Sequence, residues 1–413
     1  MLMVNNSKIV NKCQVGCKAK LKKVFFFGYI PAVNDLKSIH KEITKLESYP
    51  LELLFCNSCK LGQISCIVDR EILFPKSYPY TSSTTKILRE NFHELSLELK
   101  KFYNLKKNDL IIDIGSNDGN LLSNFQSQCR VLGVTPEDIG KTAIKRGIPT
   151  IINYFDKKTV KKINNKYGKA KVITATNVFA HIDQLNNLMK DIKNALTKDG
   201  IFISESHYFI KILNSLQYDT IYHEHMRYYS LTTLNKFFKL HGLRVFHAKE
   251  INTHGGSIRV YVSRSKKFPI SKNVNKILSK EKKELSIKKL EIFKNKVTNT
   301  KVENLNILLD IIKKGKTILA VGAPTRGSTL VSYFGIDEKI IKAVLEIKGS
   351  QKIGNYMPGT KIPIVEESEI KKYNPDYLYL LSWHIKESLI KIFRKNGYKG
   401  KFIVPLPKPK IIS

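Results

Sequence analysis

The stretch IIDIGSNDGNLL, residues 111–122, decides the fold. It continues an apolar run from Asp109 to Ile114 that is typical of a buried strand, and the residues after Gly119 fit the start of a helix. Gly115 and Gly119 allow a ligand to approach the backbone closely, and a helix N-terminus offers free N–H groups. The stretch therefore predicts a ligand-binding turn, with a tight turn without a ligand as the alternative. Asn117 breaks the G-x-G-x-x-G pattern of dinucleotide sites.

Further strands alternate with helical stretches on both sides of this turn, which predicts an α/β fold with a mostly parallel sheet. A second α/β pattern follows a Lys-rich segment of helical periodicity. The predicted regions are a small module at 1–75, a central domain at 76–265, a helical connection at 266–315 and a C-terminal α/β domain at 316–413. The predicted strands are Lys23–Tyr29, Leu53–Cys56, Asp109–Ile114, Arg130–Val134, Val172–Thr174, Gly200–Ser204, Thr317–Val321, Ile341–Leu345, Tyr377–Leu381 and Phe402–Leu406, and the helix before the turn spans 84–102.

The chain has 413 residues and a net charge of +36. A polyanionic partner is one interpretation, but the excess is mostly Lys spread along the chain, without the basic stripe and interleaved aromatics of nucleic-acid modules. We therefore expect no nucleic acid. Since no apolar run approaches the roughly 20 residues that span a bilayer and the first residues lack a signal pattern, we also expect no membrane insertion. The expected protein is a cytoplasmic monomer with reduced thiols.

Four of the six cysteines form two close pairs, Cys13 with Cys17 and Cys56 with Cys59. Both spacings lie in the range of zinc ligand pairs, and a reducing compartment favours metal over disulfides. The pairs predict a structural zinc ion in the N-terminal module. Cys66 and Cys129 are expected to be ordinary buried thiols.

The segment QYDTIYHEH, residues 217–225, concentrates groups that transfer protons. On a strand, His223 and His225 would share a face and bind a metal, whereas a helix would separate them. A structural polar cluster is the third possibility, disfavoured because burying such groups together is costly. The segment THGGSIRVY, residues 253–261, predicts a Gly-Gly turn that opens into a strand, either as part of a site or as a plain hairpin.

Together these stretches resemble the three-domain S-adenosylmethionine-dependent C-methyltransferases of nucleoside-diphosphate 4-keto-deoxyhexoses. The resemblance covers nearly the whole chain, and YHEH followed by THGGS is its most specific part. Its motifs, in order, are the cysteine module, YPYTSS at 78–83, DIGSNDG at 113–119, NVFAH at 177–181, YDTIYHEH at 218–225, YSLT at 229–232, THGGSIRVY at 253–261, GAPTRG at 322–327, a Gly354–Thr360 loop with Ile362-Pro363, and SWH at 382–384.

The resemblance implies a class I methyltransferase Rossmann-like core between a zinc-binding module and a second Rossmann-like domain that helps to hold a nucleotide sugar. Catalytic roles fall on Tyr222, Glu224, His225 and His181. The implied S-adenosyl-L-methionine ligands are Asp113, Gly115, Ser116, Asn117, Asp118, Gly119, Thr135 and Asn177. The implied substrate ligands are Tyr78, Tyr80, Ser82, His254, Gly255, Gly256, Arg259, Pro324, Arg326 and Trp383.

Several positions depart from the family pattern. Thr135 stands where an acid usually holds the donor ribose, so either Glu137 substitutes or a hydroxyl serves. The first cysteine pair has one extra intervening residue. Thr325-Arg326 and Ser328 replace the frequent Ala-Lys and Asn, which leaves the sugar undefined.

Carbon methylation beside a ketone needs a base and a donor for the developing enolate oxygen. We predict His225 as the base, Glu224 as the group that orients its ring, and Tyr222 as the enolate stabiliser, with the His and Tyr roles exchangeable. The rivals are an O- or N-methyltransferase, a nucleic-acid methyltransferase and a non-catalytic sugar-nucleotide module. The nucleic-acid enzyme is disfavoured because Asn177-Val178-Phe179 lacks its motifs.

Overall fold

A computed structural model of the chain describes residues 6–74 and 81–413. The N-terminal module is built almost entirely from short strands. Its elements are β1 (Ser7–Ile9), β2 (Lys22–Ile30), β3 (Lys37–Ser38), β4 (Tyr49–Cys56), β5 (Leu61–Ile64), β6 (Cys66–Val68) and α1 (Arg70–Leu73). Strands β2, β4 and β5 form an antiparallel sheet whose inner face is apolar, with Phe27, Leu53 and Phe55 buried.

The central domain is a seven-stranded sheet covered by helices. Its elements are α2 (Lys86–Leu99), β7 (Leu110–Ile114), β8 (Arg130–Thr135), α3 (Gly140–Lys145), β9 (Thr150–Ile152), α4 (Lys157–Tyr167), β10 (Ala170–Thr176), α5 (Leu185–Ala195), β11 (Leu196–His207), α6 (Phe209–Asn214), β12 (Arg227–Tyr228), α7 (Leu231–Leu240), β13 (Arg244–Ile251) and β14 (Ser257–Ser263). All but β12 of these strands lie in the sheet, in the order β13-β14-β11-β10-β7-β8-β9, and β14 runs antiparallel to both of its neighbours. Because β7, β10 and β11 are parallel, their carboxyl ends meet at one edge.

Two helices, α8 (Lys272–Glu284) and α9 (Ile287–Lys313), lead to a second, smaller α/β sheet. Its elements are β15 (Ile318–Val321), α10 (Thr325–Phe334), β16 (Val344–Glu346), β17 (Asn355–Tyr356), β18 (Ile364–Glu366), α11 (Ile370–Tyr373), β19 (Tyr377–Leu380), α12 (Lys386–Lys395), β20 (Lys401–Val404) and β21 (Lys410–Ile412). The strand order is β18-β16-β15-β19-β20-β21, parallel except for β21. The predicted α/β class with a Rossmann-like core is thus confirmed.

Two predicted elements are wrong in detail. The helix expected after Gly119 is only a 3-10 turn at Leu122–Asn124, because the Asn124 and Ser123 side chains bond to backbone carbonyls of the same turn and compete with helix formation. The strand expected from Ile341 begins at Val344, since the Ile340 and Ile341 N–H groups both close a turn on the Asp337 carbonyl.

The N-terminal module is joined to both other domains by strand pairing. β5 pairs with β12 of the central domain, and β3 pairs with β17 of the C-terminal domain. We propose the predicted domain boundaries for the protein. β14 ends at Ser263, close to the boundary predicted after residue 265, and α9 ends at Lys313, close to the one predicted after residue 315. Within the described residues, no helix has the length and apolar character to cross a membrane.

Candidate active site and zinc centre

The four paired cysteines converge at one end of the N-terminal module. Their Sγ atoms all lie within 4.8 Å of one another, and those of Cys13 and Cys59 are 3.6 Å apart. Tetrahedral zinc–thiolate bonds of about 2.3 Å require sulfur atoms about 3.8 Å apart, so the cluster fits the ion. The Lys60 N–H donates to the Cys56 carbonyl and closes the turn that presents Cys56 and Cys59. The predicted zinc site is confirmed; Cys66 and Cys129 are buried thiols outside it.

The donor turn, residues 113–119, follows the carboxyl end of β7. Gly115, Asn117 and Gly119 all have positive φ, at 72°, 51° and 79°. A Cβ atom on Gly115 would overlap the Val178 side chain, so the turn also packs tightly against the end of β10. The Ser116 Oγ and Asn177 Oδ1 atoms are buried without a partner among the described residues. Such orphaned polar atoms beside a tight turn fit a polar ligand such as S-adenosylmethionine.

Not all predicted donor ligands face outward. The Asp118 carboxylate accepts the Ser82 hydroxyl at 2.6 Å and the Arg146 guanidinium at 2.8 Å, so both Asp118 and Ser82 support the turn. The Thr135 hydroxyl donates to the Glu137 carboxylate. The two residues proposed as alternatives for the ribose are therefore bonded to each other.

Asp113, the first residue of the donor turn and part of β7, is buried. Burial raises the pKa of its carboxyl to about 7, although the Thr174 hydroxyl donates to it at 2.6 Å. The donor turn thus begins with a carboxyl group that resists ionisation.

The catalytic segment, residues 217–225, forms a 3-10 turn at Tyr218–Thr220 and a second turn closed by the His225 N–H on the Tyr222 carbonyl. The Nδ1 atom of His225 lies 2.8 Å from the Thr220 carbonyl oxygen. Because a carbonyl only accepts, Nδ1 carries the proton and Nε2 keeps its lone pair. The ring centroids of Tyr222 and His225 are 4.1 Å apart. The prediction that Glu224 orients this imidazole is wrong; the Thr220 carbonyl does so.

Glu224 has other partners. Its carboxylate accepts the Asn34 amide at 2.7 Å, and its backbone carbonyl accepts Nδ1 of His181, also at 2.7 Å. Asn34 belongs to the N-terminal module and was not predicted. His223 turns away toward the Pro50 carbonyl, so no His-x-His metal pair forms. Among the described residues, the four-cysteine cluster is the one group of potential metal ligands brought together.

Three histidines from outside the catalytic segment form a cluster with His225. The ring of His225 lies 5.0 Å from that of His181 and 4.6 Å from that of His207, and His207 lies 5.7 Å from His254. Burial lowers the pKa of His181 and His254 to about 4 and those of His207 and His225 well below their usual range. All four imidazoles are therefore neutral at neutral pH. His207 was missed, although the carboxyl end of a parallel strand beside β10 could have indicated it.

The predicted substrate ligands divide into two groups. His254 faces the histidine cluster with φ 52°, and its buried Nε2 atom has no partner in the part of the chain that the structure describes. In contrast, Arg259 is fully buried and bonded to Glu205, Glu98 and Asn91, which corrects the expectation that it is available to a ligand. Pro324 caps α10, Gly256 packs against Lys211, and Gly255 against Gln217. Tyr78 and Tyr80 lie outside the described residues.

Arg326 and Trp383 also have protein partners. The Arg326 guanidinium donates to both carboxylate oxygens of Asp219, at 2.7 and 2.8 Å, and the Trp383 indole N–H donates to the same carboxylate at 2.7 Å. Both side chains are largely buried. The expectation that they are free to bind a sugar nucleotide is corrected by these contacts.

A cavity of about 610 Å³ opens between the N-terminal module and the C-terminal domain. Asn34, Tyr49 and Asn355 are among its lining residues. Since Asn34 bonds to Glu224, the cavity adjoins the catalytic segment.

Family models match the chain in three consecutive parts: a putative zinc binding domain at 13–74, a methyltransferase domain at 84–248 and a C-methyltransferase C-terminal domain at 252–407. The chain is an S-adenosylmethionine-dependent methyltransferase. The three matched parts follow one another in the order that the resemblance implies. The C-methyltransferase NovU of Streptomyces niveus is 29% identical over 412 residues, which cover 98% of this chain and 97% of NovU.

Solved methyltransferases are similar to part of the chain. Magnesium protoporphyrin IX methyltransferase of Synechocystis PCC 6803 with bound SAM is 13% identical, with a TM-score of 0.33, over 43% of this chain and 79% of its own. An S-adenosylmethionine-dependent methyltransferase from Clostridium acetobutylicum is 15% identical, with a TM-score of 0.34, over 44% of this chain and 93% of its own. The fold assignment itself rests on the strand order described above.

Proposed function

We propose that the enzyme methylates a carbon atom of a nucleoside-diphosphate-activated 4-keto-deoxy sugar. The observation that carries the proposal is the state of His225: its Nδ1–H is fixed to the Thr220 carbonyl, and its Nε2 is a neutral, buried base beside the Tyr222 ring. Proton abstraction from carbon needs such a base, and the similarity to NovU supports carbon as the acceptor.

The proposed reaction starts with the acidic proton on the carbon next to the ketone. His225 Nε2 takes that proton, and the C–H electron pair moves into the enolate. The Tyr222 hydroxyl donates a hydrogen bond to the enolate oxygen, and burial raises the pKa of this tyrosine well above its usual range, so the hydroxyl stays protonated. S-Adenosylmethionine, bound at the donor turn, supplies the electrophilic methyl group. The new carbon–methyl bond forms as the carbon–sulfur bond breaks, leaving a neutral thioether.

We assign the ligands by their surroundings. Ser116 and Asn177 carry the unpartnered atoms beside the donor turn, and the bonded pair of Thr135 and Glu137 sits at the end of β8, where a ribose is held in this fold. We assign His254 and His207, whose rings lie 5.7 Å apart in the histidine cluster, to the sugar.

Product analysis tests the proposal. Wild-type enzyme is incubated with S-adenosylmethionine and a panel of 4-keto-deoxy sugars carried by thymidine, uridine, guanosine or cytidine diphosphate. Mass spectrometry detects methyl addition, and NMR places the methyl group on carbon, oxygen or nitrogen. A methyl group found only on oxygen or nitrogen would contradict the proposal and favour the heteroatom rival.

A second measurement isolates deprotonation. With S-adenosylhomocysteine in place of the methyl donor, the enzyme should exchange the carbon proton next to the ketone for deuterium in deuterated water. Methylation at carbon without any exchange would mean that deprotonation and transfer are concerted, and the proposed free enolate would be wrong.

A further inference from the structure

The catalytic segment is attached to the C-terminal domain through one buried carboxylate. Asp219 is fully buried, three residues before Tyr222 and next to Thr220, whose carbonyl fixes His225. Its partners, Arg326 at the start of α10 and Trp383 just after β19, both come from the C-terminal domain. The carboxylate thus receives three short hydrogen bonds from across the domain boundary.

The same arginine reaches a second part of the site. Arg326 Nη2 lies 3.4 Å from the Gln217 Oε1 atom, and Gln217 Nε2 donates to the Gly255 carbonyl at 2.7 Å. A Cβ atom at Gly255 would overlap the Gln217 amide, so this contact requires glycine. The Arg326 guanidinium also lies 5.0 Å from the centroid of the Trp383 ring. Arg326 therefore contacts the catalytic segment directly at Asp219 and Gln217, and reaches the Gly-Gly turn through Gln217.

We propose that Arg326 and Trp383 are positioning residues, which hold Asp219 and thereby the Thr220 carbonyl that aims the base, and that they do not bind the sugar nucleotide. Buried charges persist only when they are well paired, and a bidentate guanidinium–carboxylate pair fixes orientation as well as distance. The identity of His225 as the base rests on the function proposed above. The attachment of residues 217–225 to the C-terminal domain does not.

The charge of Arg326 acts on the base. The rings of His181, His207, Tyr222 and Tyr228 surround the His225 ring, Glu224 precedes it in the chain, and His254 also acts on its ionisation. Burial is the main cause that lowers the pKa of His225, and the positive charge of Arg326 adds to it. Since Asp219 offsets that charge, loss of either partner leaves a net charge near the base, of opposite sign in the two cases.

The test compares Arg326→Met, Asp219→Asn and the double variant with wild type. Each single variant should lower kcat by about tenfold to a hundredfold, because small misplacements of a catalytic group have effects of this size. KM for the sugar nucleotide and the affinity for S-adenosylmethionine should change less than about threefold. The double variant should lose less than the product of the two single losses, since it leaves no unpaired buried charge.

The pH dependence of kcat/KM distinguishes the effect of losing a charge from the effect of losing the hydrogen-bond geometry. A neutral base is required, so the acidic limb of kcat/KM reports the pKa of His225. The limb should move to higher pH in Arg326→Met and to lower pH in Asp219→Asn. Arg326→Lys keeps the charge but loses the two-point geometry, so it should keep the wild-type limb and lower kcat. Lys316→Met, which removes an exposed ion pair with Asp376 at the opposite end of β15, should behave as wild type.

A substrate-free measurement completes the test. Amide hydrogen exchange of residues 217–225 should become faster in Arg326→Met and Asp219→Asn, and stay unchanged in Lys316→Met. Unchanged amide exchange in the two variants would overturn the proposal. So would a tenfold rise in KM with wild-type kcat in Arg326→Met while Asp219→Asn keeps wild-type kinetics, a result that would make Arg326 a substrate ligand. If wild-type enzyme methylates none of the sugars, the proposed function fails, but the exchange result still decides the attachment.

Discussion

The donor turn and the catalytic segment are built in opposite ways. The donor turn, residues 113–119, owes its shape to its own glycines and to the ends of neighbouring strands in one sheet. The catalytic segment, residues 217–225, is held by Asn34 of the N-terminal module and by Arg326 and Trp383 of the C-terminal domain. Under the proposed function, donor binding depends on one domain, whereas activation of the acceptor depends on contacts from all three.

This difference makes the two halves of the site separable by mutation. Changes in the N-terminal module or in the C-terminal domain should spare donor affinity and lower turnover. Changes at the donor turn should do the reverse.

The largest effect is expected from loss of the base. His225→Ala should lower kcat by about 10²–10⁴-fold, because general-base loss has consequences of that size. The affinity for S-adenosylmethionine, measured by calorimetry, should stay within about threefold of wild type. The acidic limb of the pH–rate profile should disappear.

The exchange reaction decides the role of His225. The Ala variant should no longer exchange the carbon proton with deuterated water in the presence of S-adenosylhomocysteine. His241→Ala, which removes an imidazole at the end of α7, is the control and should exchange like wild type. Exchange at the wild-type rate in His225→Ala would leave Tyr222 as the candidate base.

Loss of zinc should lower turnover without affecting the donor site. Purified enzyme should contain about one zinc ion per chain, and Cys56→Ser or the less buried Cys17→Ser should lose it. The module also carries Asn34, whose amide bonds to the Glu224 carboxylate. We therefore expect kcat to fall by about tenfold or more, as for loss of a hydrogen bond to a charged group.

Two comparisons sharpen the zinc experiment. Asn34→Ala keeps the ion and should reproduce part of the loss in kcat, whereas Gln351→Ala changes the lining of the same cavity and should not. A metal-free protein with full activity would contradict the prediction. A parallel loss of S-adenosylmethionine affinity would mean that the module supports the central domain as a whole.

Gly115→Val tests the donor turn. The φ of 72° disfavours a branched residue, and the new side chain would overlap Val178. Donor affinity should fall at least tenfold, about 1.4 kcal/mol, by calorimetry. Gly168→Val is the matched control, since Gly168 has φ 81° with nothing within 4 Å of its Cβ position, and it should bind the donor normally. Equal affinity in both variants would place the donor elsewhere.

The sequence predicted the features whose partners are close along the chain. The cysteine pairs depend on residue spacing and the donor turn on the positions of its glycines, and both are visible in the sequence. The same reading failed at Gly119–Asn124, where side chains of Ser and Asn compete with the expected helix.

The contacts of the catalytic segment could not be predicted in this way, because they join distant parts of the chain. The Asn34–Glu224 hydrogen bond spans 190 positions and the Asp219–Arg326 pair 107. The resemblance named Arg326, Trp383 and Arg259 as ligands, but no sequence pattern tells a ligand-facing cation from one that is paired with a buried carboxylate. His207 was missed although it ends β11, whose carboxyl end lies beside that of β10 in the parallel sheet.

The smallest effect concerns the stability of the donor half and follows from Asp113. Burial raises the pKa of its carboxyl from 3.8 to about 7. Between these values the folded protein binds more protons than the unfolded chain, so the free energy of unfolding falls as the pH rises from about 4 to 7. Above pH 7 the folded state holds a buried carboxylate, and the stabilising effect of the proton is lost.

Asp113→Asn mimics the protonated carboxyl at every pH. It should therefore remove part of the pH slope of the melting temperature and raise the melting temperature of the donor-free protein at pH 8 by roughly 2–4 °C, the shift that corresponds to about 1 kcal/mol in a domain of this size. Scanning calorimetry from pH 5 to 8 compares the variant with wild type. If the melting temperature of Asp113→Asn depends on pH as in wild type, the Asp113 carboxyl ionises as readily in the folded protein as in the unfolded chain. The donor turn would then not begin with a neutral carboxyl group.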